Sequence, residues 1–502
     1  MSFMEKLKKV LDDGRAVTEN GAVGYATTGK ALVDLNFAVA SLRSAGEDEI
    51  IKKFVHAYYE DRVLAMKWLF FLRDIRGGLG ERRTFRVILR YLAVGEQQMV
   101  ERLIPLIAEY GRFDDLLCLF DTPAEEKMLA LLKQQLLEDI THMEKKQQIS
   151  LCAKWLPSIN ASAKETRKKA RRIVQYLEIT AREYRRLLAI IREYLSVTEV
   201  LASANRWDEI TYEAVPSNAN LRYYSAFMRH DEARRKNYLE SVQKGEKTIH
   251  AGVLMPHEIV TRYCNRQGWR LNLKKEEPAL EELWRHLDNT MEGAEDVLCI
   301  VDGSGSMLCP VGDGTTTALQ VSNALGIYFA EHLKGAYHNQ FITFSDRPQY
   351  VNLNGCRTLR EKLAVAFSHN DISNTNLEAS FNLILQTAVS NHLSQDELPK
   401  TVLVISDMEF DQATVSKNRE TLFQSIGRNF ARYGYRMPKL VFWNCNSRTN
   451  VIPVRENALG VALVSGFSVN VCRMVLGNQL DPYACLKAQL ESERYAPIGQ
   501  AV

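Results

Sequence analysis

Asp302-Gly303-Ser304-Gly305-Ser306 directly follows the short apolar run Val297-Leu298-Cys299-Ile300-Val301. One carboxylate and two hydroxyls at alternate positions can converge on a hard cation, and the intervening glycines let the backbone turn tightly around it. Asp407 offers a second carboxylate at the end of another apolar run, Thr401-Val402-Leu403-Val404-Ile405-Ser406. A third segment, Ser373-Asn374-Thr375-Asn376-Leu377, offers the Thr375 hydroxyl. Carboxylate, hydroxyl and water oxygens suit Mg²⁺ or Mn²⁺, not zinc. The competing reading is a tight strand-to-helix turn that holds no metal. No nucleophile–base pair accompanies these residues, so the expectation is a binding protein, not an enzyme.

The elements that must position these side chains follow residue 290. Short apolar runs at 297–301, 341–344, 401–405, 440–443 and 461–464 read as strands. They alternate with helical segments at 317–333, 376–389, 418–433 and 480–490, the first of them amphipathic. Such alternation predicts a doubly wound parallel sheet. In sheets of that kind ligands sit beyond the carboxyl ends of the strands, where Asp302 and Asp407 both fall. An Asp-x-Ser-x-Ser after the first strand, a later Thr and a later strand-end Asp resemble a von Willebrand factor A domain with its metal-ion-dependent adhesion site. The resemblance spans residues 294–479. It implies Asp302, Ser304, Ser306, Thr375 and Asp407 as the metal site, with Ser304 and Ser306 bound directly and the two aspartates often through water. It also implies an open coordination position for an acidic oxygen of a partner.

Before residue 290 helix formers dominate, at 31–43, 47–75, 82–93, 96–109, 123–143, 161–192, 217–242 and 256–266. Breakers such as Gly77-Gly78 and Val215-Pro216-Ser217 separate them. Many short helices with short connections predict an α-solenoid or an irregular bundle, without a strict sequence repeat. The net charge of +3 points to no polyanion by itself, but residues 154–192 carry 11 Lys/Arg against Glu165, Glu178 and Glu183. That stripe can steer a polyanion or form a solvated helix face.

Trp68 to Arg82, Tyr110 to Leu117, Lys154 to Ser158, Trp207 to Ile210 and Phe227 to Asp231, followed by an A-type domain, resemble the Ro autoantigen (TROVE) family. They resemble more closely an uncharacterised Ro-like family of the same two-part layout. The resemblance implies a ring of HEAT-like repeats closed by the A domain, which binds single-stranded RNA ends in its hole and small structured RNAs on a basic face. Phosphates suit Lys and Arg, and aromatic rings can stack unpaired bases. Candidate contacts are Arg73, Arg76, Arg82, Arg83 and Arg112, then Lys164, Arg167, Lys168, Lys169, Arg171 and Arg172. Ion pairing between helices is the competing reading for the first group. Trp68, Trp155 and Trp207 read as core residues.

The boundaries expected are an N-terminal extension over 1–19, the helical domain over 20–290, the A-type domain over 294–479, and a C-terminal helix and tail over 480–502. With 46% hydrophobic and 25% charged residues, the 502-residue chain is neither disordered nor fibrous. No apolar run near 18 residues and no signal-like leader is seen, so no membrane association is expected. The nine cysteines are scattered and lack a C-x-x-C pair, which fits a reducing cytoplasmic setting. The segment from Gly24 to Lys30 approaches a phosphate-binding loop, but Ala31 stands where a hydroxyl is needed, so no nucleotide cofactor is expected. The function expected is non-catalytic RNA binding, in RNA quality control or scaffolding, with the cation site serving a partner. The rival is a metal-dependent protein-interaction scaffold without RNA.

Overall fold

The computed structural model describes residues 4, 14–265, 270–272, 275–291, 296–312, 314, 316–412, 421–454, 460–472 and 481–502. Parts of the expected segments, at 266, 294–295, 418–420 and 473–480, lie outside these residues, as does most of the expected 1–19 extension. The chain forms two compact units. One comprises residues 1–61 and 254–492, the other residues 62–253 and 493–502. These divisions fall elsewhere than the boundaries expected from composition.

The first unit is α/β. Its six-stranded sheet runs in the order β10-β9-β8-β3-β6-β7. The strands are β3 (Val297–Asp302), β6 (Gln340–Phe344), β7 (Gln349–Asn352), β8 (Thr401–Ser406), β9 (Lys439–Asn444) and β10 (Val461–Ser465). β3 pairs in parallel with both β6 and β8, with Ile300 opposite Ile342 and Val404. β9 continues the parallel set between β8 and β10. The expected all-parallel sheet is corrected at one edge, where β7 runs antiparallel to β6. The connection at 345–348 is too short for a crossover, so the chain turns back as a hairpin.

The helix Ala318–His332, expected to be amphipathic, is buried on every side from Ala318 to Ala330. Its small residues allow that. A Cβ on Gly326 would lie 2.5 Å from Val301 Cγ2, so only glycine lets this helix approach β3 so closely.

Residues 14–61 join this unit by strand pairing and capping that composition does not announce. β1 (Arg15–Val17) and β2 (Val23–Tyr25) form an antiparallel hairpin. Bridges Gly21–Asp411 and Tyr25–Ile452 fasten it to the loops after β8 and β9. Asn444 Nδ2 donates to the Phe37 carbonyl at 2.8 Å, and Ala40 N donates to Ser465 Oγ at 2.9 Å. A further two-stranded ribbon, β4 (Pro310–Val311) with β5 (Thr316–Thr317), follows the Asp302 turn.

The second unit is helical among its described residues, and its helices pack largely on their sequence neighbours. Three long helices expected from the sequence are each a pair. Glu47–Glu60, which belongs to the first unit, and Arg62–Arg73, which belongs to the second, part at Asp61, which is extended. Lys164–Tyr176 and Ala181–Tyr194 part at Glu178, whose φ is +57°. Thr180 then caps the second helix reciprocally with Glu183. Ser217–His230 and Glu232–Gln243 part at Asp231. Polar residues make these breaks, with no Gly or Pro to mark them. The expected tail over 480–502 also divides. Pro482–Leu490 belongs to the α/β unit, while Tyr495 stacks on Tyr110 in the helical one at 5.8 Å. No described helix is long and apolar enough to cross a membrane.

Candidate metal centre and basic surface

β3 ends in Asp302 and β8 in Ser406, with Asp407 next. Parallel pairing of these strands sets the two carboxylates side by side at the carboxyl end of the sheet. Asp302 Oδ1 accepts from Ser304 N at 2.9 Å and Oδ2 from the Ser406 hydroxyl at 2.5 Å. The Ser304 and Ser306 hydroxyls lie 3.0 Å apart, and Ser306 hydrogen-bonds Asp407. Four of the five candidate ligands thus form one connected group. The fifth, Thr375, is buried on a neighbouring loop pinned to the Asp302 turn by Gly305 N to the Ser373 carbonyl at 3.0 Å. Its hydroxyl accepts from Asn20 Nδ2 at 3.2 Å and not from the other four.

Asp302 and Asp407 are essentially inaccessible, at 0% and 1% exposure. Burial, then the Asp407 charge, pushes the Asp302 carboxyl up. Burial also raises Asp407, against the Ser306 hydrogen bond and the Arg448 charge. Two adjacent buried carboxylates are costly to ionise without a cation. The donor set of two carboxylates and three hydroxyls is hard oxygen throughout and fits Mg²⁺ or Mn²⁺. Among the described residues no cluster of three His, Cys, Asp or Glu offers a competing metal position.

Sequence reasoning missed the residues that frame this centre. Buried Glu409 accepts from Glu19 N at 3.0 Å and from Arg448 N and Thr449 N at 2.8 Å each. It thereby ties the β1–β2 turn and the loop after β9 to the segment that follows Asp407. Arg448 Nη2 lies 3.6 Å from Asp407 Oδ2. The only local hint was the acidic run Asp407-Met408-Glu409-Phe410-Asp411. The near-match to a phosphate loop is closed by the chain itself. Asp34 accepts from Thr28 N at 2.7 Å, and Glu60 accepts from Ala31 N at 2.7 Å.

In the helical unit the first group of candidate arginines gathers around Asp114 and Asp115. Arg73 is 2% exposed and pairs with Asp115 at 2.7 Å, so it is a core residue and not a surface contact. Arg86, not anticipated, pairs with Asp115 at 2.7 Å and Asp114 at 2.9 Å. Arg112 pairs with Asp114 at 2.7 Å and lies 3.8 Å above the Trp155 ring, which is partly exposed. Burial works against the Asp114 charge, yet Arg112 and Arg86 hold it below the usual range. Arg82 is exposed and has no ion-pair partner among the described residues. Partial desolvation, then the charges of Arg112, Arg73 and Arg86, lower it to about 10, with Asp114 opposing. Arg76 and Arg83 are exposed nearby.

The second group divides by helix face. Arg167 Nη1 donates to the Ala161 carbonyl at 2.8 Å, and Lys169 Nζ donates to the Leu117 carbonyl at 2.9 Å. Arg172 pairs with Asp121 and Glu125 at 2.5 Å each. These three hold the helix in place. Lys164, Lys168 and Arg171 form the exposed stripe at helical spacing, and among the described residues only Lys168 of the three has an ion-pair partner, Asp121 at 3.8 Å. Burial, then the charges of Arg86 and Arg90, lower Lys169 against the effect of Cys118. Lys169, on the buried side of this helix, thus senses the charge of Arg86 in the first group. Trp68 is core, as expected, and Trp207 stacks on His230 at 4.5 Å.

Two family models match, a domain of unknown function (DUF2828) over residues 161–294 and another (DUF7788) over residues 296–494. Among solved structures, the crystal structure of the Deinococcus radiodurans RO (RSR) protein is similar over 87% of this chain and 100% of that one. The identity is 14% and the TM-score 0.39, a likeness that carries no functional argument. The uncharacterized protein L728 of Acanthamoeba polyphaga mimivirus is 30% identical over 96% of this chain and 88% of its own. The chain belongs to the family of that mimivirus protein.

Proposed function

We propose that this protein is a non-catalytic RNA-binding protein of Ro-like type. Its helical unit takes single-stranded ends or small structured RNA, and its α/β unit carries a Mg²⁺ or Mn²⁺ site for the carboxylate of a protein partner. The observation that carries the RNA reading is Arg82, exposed and crowded by three other guanidiniums whose aspartates are already engaged. A phosphate relieves that crowding, and the stripe Lys164, Lys168 and Arg171 offers further exposed positive charge. The aromatic ring of Trp155 beneath Arg112 adds a partly exposed π face. The sequence resemblance to the Ro family supports the same reading.

The second reading, a metal-dependent scaffold without RNA, is favoured by the convergence of Asp302, Ser304, Ser306 and Asp407. When bound, the cation supplies a positive charge at the carboxyl end of the sheet. Asp302 and Asp407 hold it electrostatically, while Ser304, Ser306 and Thr375 complete the oxygen donors. All nine cysteines are free thiols, and a reducing, cytoplasmic setting forms part of the proposal.

Purification from the native cells without nuclease, followed by sequencing of bound RNA, tests the leading reading. A discrete set of small or 3′-frayed RNAs is expected. Protein free of nucleic acid, and inert toward single strands at low salt, transfers the proposal to the scaffold.

A further inference from the structure

The turn between β1 and β2 sits against the metal face. Thr18 Oγ1 donates to the Phe410 carbonyl at 2.6 Å, and Asn20 Nδ2 donates to the Glu409 carbonyl at 2.7 Å. Together with Glu19 N on Glu409, these bonds fix the backbone of the turn on both sides of Glu19. The Glu19 side chain is placed differently. It is 58% exposed, and its Oε2 lies 2.7 Å from Arg448 Nη2. The same nitrogen lies 3.6 Å from Oδ2 of Asp407. One guanidinium nitrogen therefore stands between a candidate metal ligand and a carboxylate delivered by a distant hairpin. Burial works against the Arg448 charge, but Asp407, Cys309 and Glu19 hold it above its ordinary value.

We infer that Glu19 is a built-in gate on the metal site, occupying the Arg448 position that an incoming acidic side chain must take. The inference rests on the cation-site reading. The hairpin is a fixed wall, because its backbone is bonded into the unit. The gate is the side chain alone, because a single half-exposed ion pair is weak and readily exchanged. A tethered carboxylate competes at high effective concentration, so a free acidic ligand binds more weakly than the bare site allows. Arg448 then serves twice, holding Glu19 when the gate is shut and pairing with the ligand's carboxylate when it opens. The ligand class is an aspartate or glutamate side chain of a peptide.

The full chain, saturated with Mg²⁺, is titrated by calorimetry with a short Gly/Ser peptide containing one glutamate. E19Q is expected to bind the peptide about two- to fivefold more tightly than the wild type. Arg448→Gln is expected to bind it more weakly than the wild type, and E19Q with Arg448→Gln to lose the gain. Equal or weaker peptide binding by E19Q, including no detectable binding by either protein, overturns the gate. Titration with Mg²⁺ alone separates the two levels of the argument. Mg²⁺ binding in the wild type without a gain in E19Q defeats the gate only, whereas no Mg²⁺ binding in the wild type defeats the cation site beneath it.

Discussion

In the helical unit Arg73, Arg82, Arg86 and Arg112 crowd around Asp114 and Asp115; in the α/β unit buried Asp302 and Asp407 adjoin one another, and Asp407 alone lies 3.6 Å from Arg448. Both groups hold a surplus of one sign, and burial separates their uses. Surplus positive charge on exposed residues, Arg82 in one place and Lys164, Lys168 and Arg171 in another, suits an extended polyanion. Surplus negative charge on two buried carboxylates at neighbouring strand ends suits a small cation. Within the first group the same distinction operates again. Arg73 is buried and belongs to the fold, whereas Arg82 is exposed and has charge to spare.

That contrast can be broken at Asp115. Asp115→Ala leaves Arg73 buried without its partner and deprives Arg86 of one carboxylate, and it is expected to cost about 3–5 kcal/mol in urea unfolding. Arg82→Ala in the same assay is expected to change stability by less than about 0.5 kcal/mol. Comparable losses in the two variants contradict the division between fold and surface.

The next largest effect is metal-linked. At Mg²⁺ about a hundredfold above its dissociation constant, stabilisation of about 2.7 kcal/mol is expected for the wild type. Asp302→Ala is expected to keep the fold and lose that gain in thermal melts. The same stabilisation in both proteins removes the site assignment.

Acidification sharpens the comparison with a smaller effect. Asp302 and Asp407 are raised in the folded, cation-free protein, which therefore holds protons that the unfolded chain releases. Their contribution to cation-free stability consequently falls as pH rises from the ordinary carboxylate range, about 4, through the raised values. A divalent cation opposes that loss by favouring both ionised forms, and protons compete with it. Mg²⁺ affinity is expected to weaken from pH 8 to pH 6. RNA affinity at the arginine surface is expected to hold, because guanidinium does not titrate there. A pH-independent Mg²⁺ affinity contradicts the role of the two carboxylates.

The grouping of the candidate ligands was largely legible because most of them sit in two short motifs at strand ends, and strand pairing alone brings Asp302 beside Asp407. Glu19, Asn20, Glu409 and Arg448 were not legible, since partners 39 to 390 positions apart leave no periodic trace. The strand positions were readable from apolar runs, but the reversal of β7 depends on the length of one connection. Helix existence followed from composition, whereas the breaks at Asp61, Glu178 and Asp231 occur at residues with no strong breaker signature. Arg73 and Arg82 looked alike in sequence, and only burial tells them apart.

The most direct test of RNA binding at the basic surface is fluorescence anisotropy with a 3′-labelled single-stranded RNA of about 20 nucleotides, a length covering one to a few electrostatic contact sites. Wild type is compared with Arg82→Glu combined with Lys164→Glu, Lys168→Glu and Arg171→Glu at 50 and 200 mM salt. These concentrations span the range over which phosphate contacts weaken strongly. Salt-sensitive wild-type binding, at least tenfold loss in the variant and a shallower salt dependence are expected. Unchanged affinity and salt dependence in the variant contradict RNA binding at this surface.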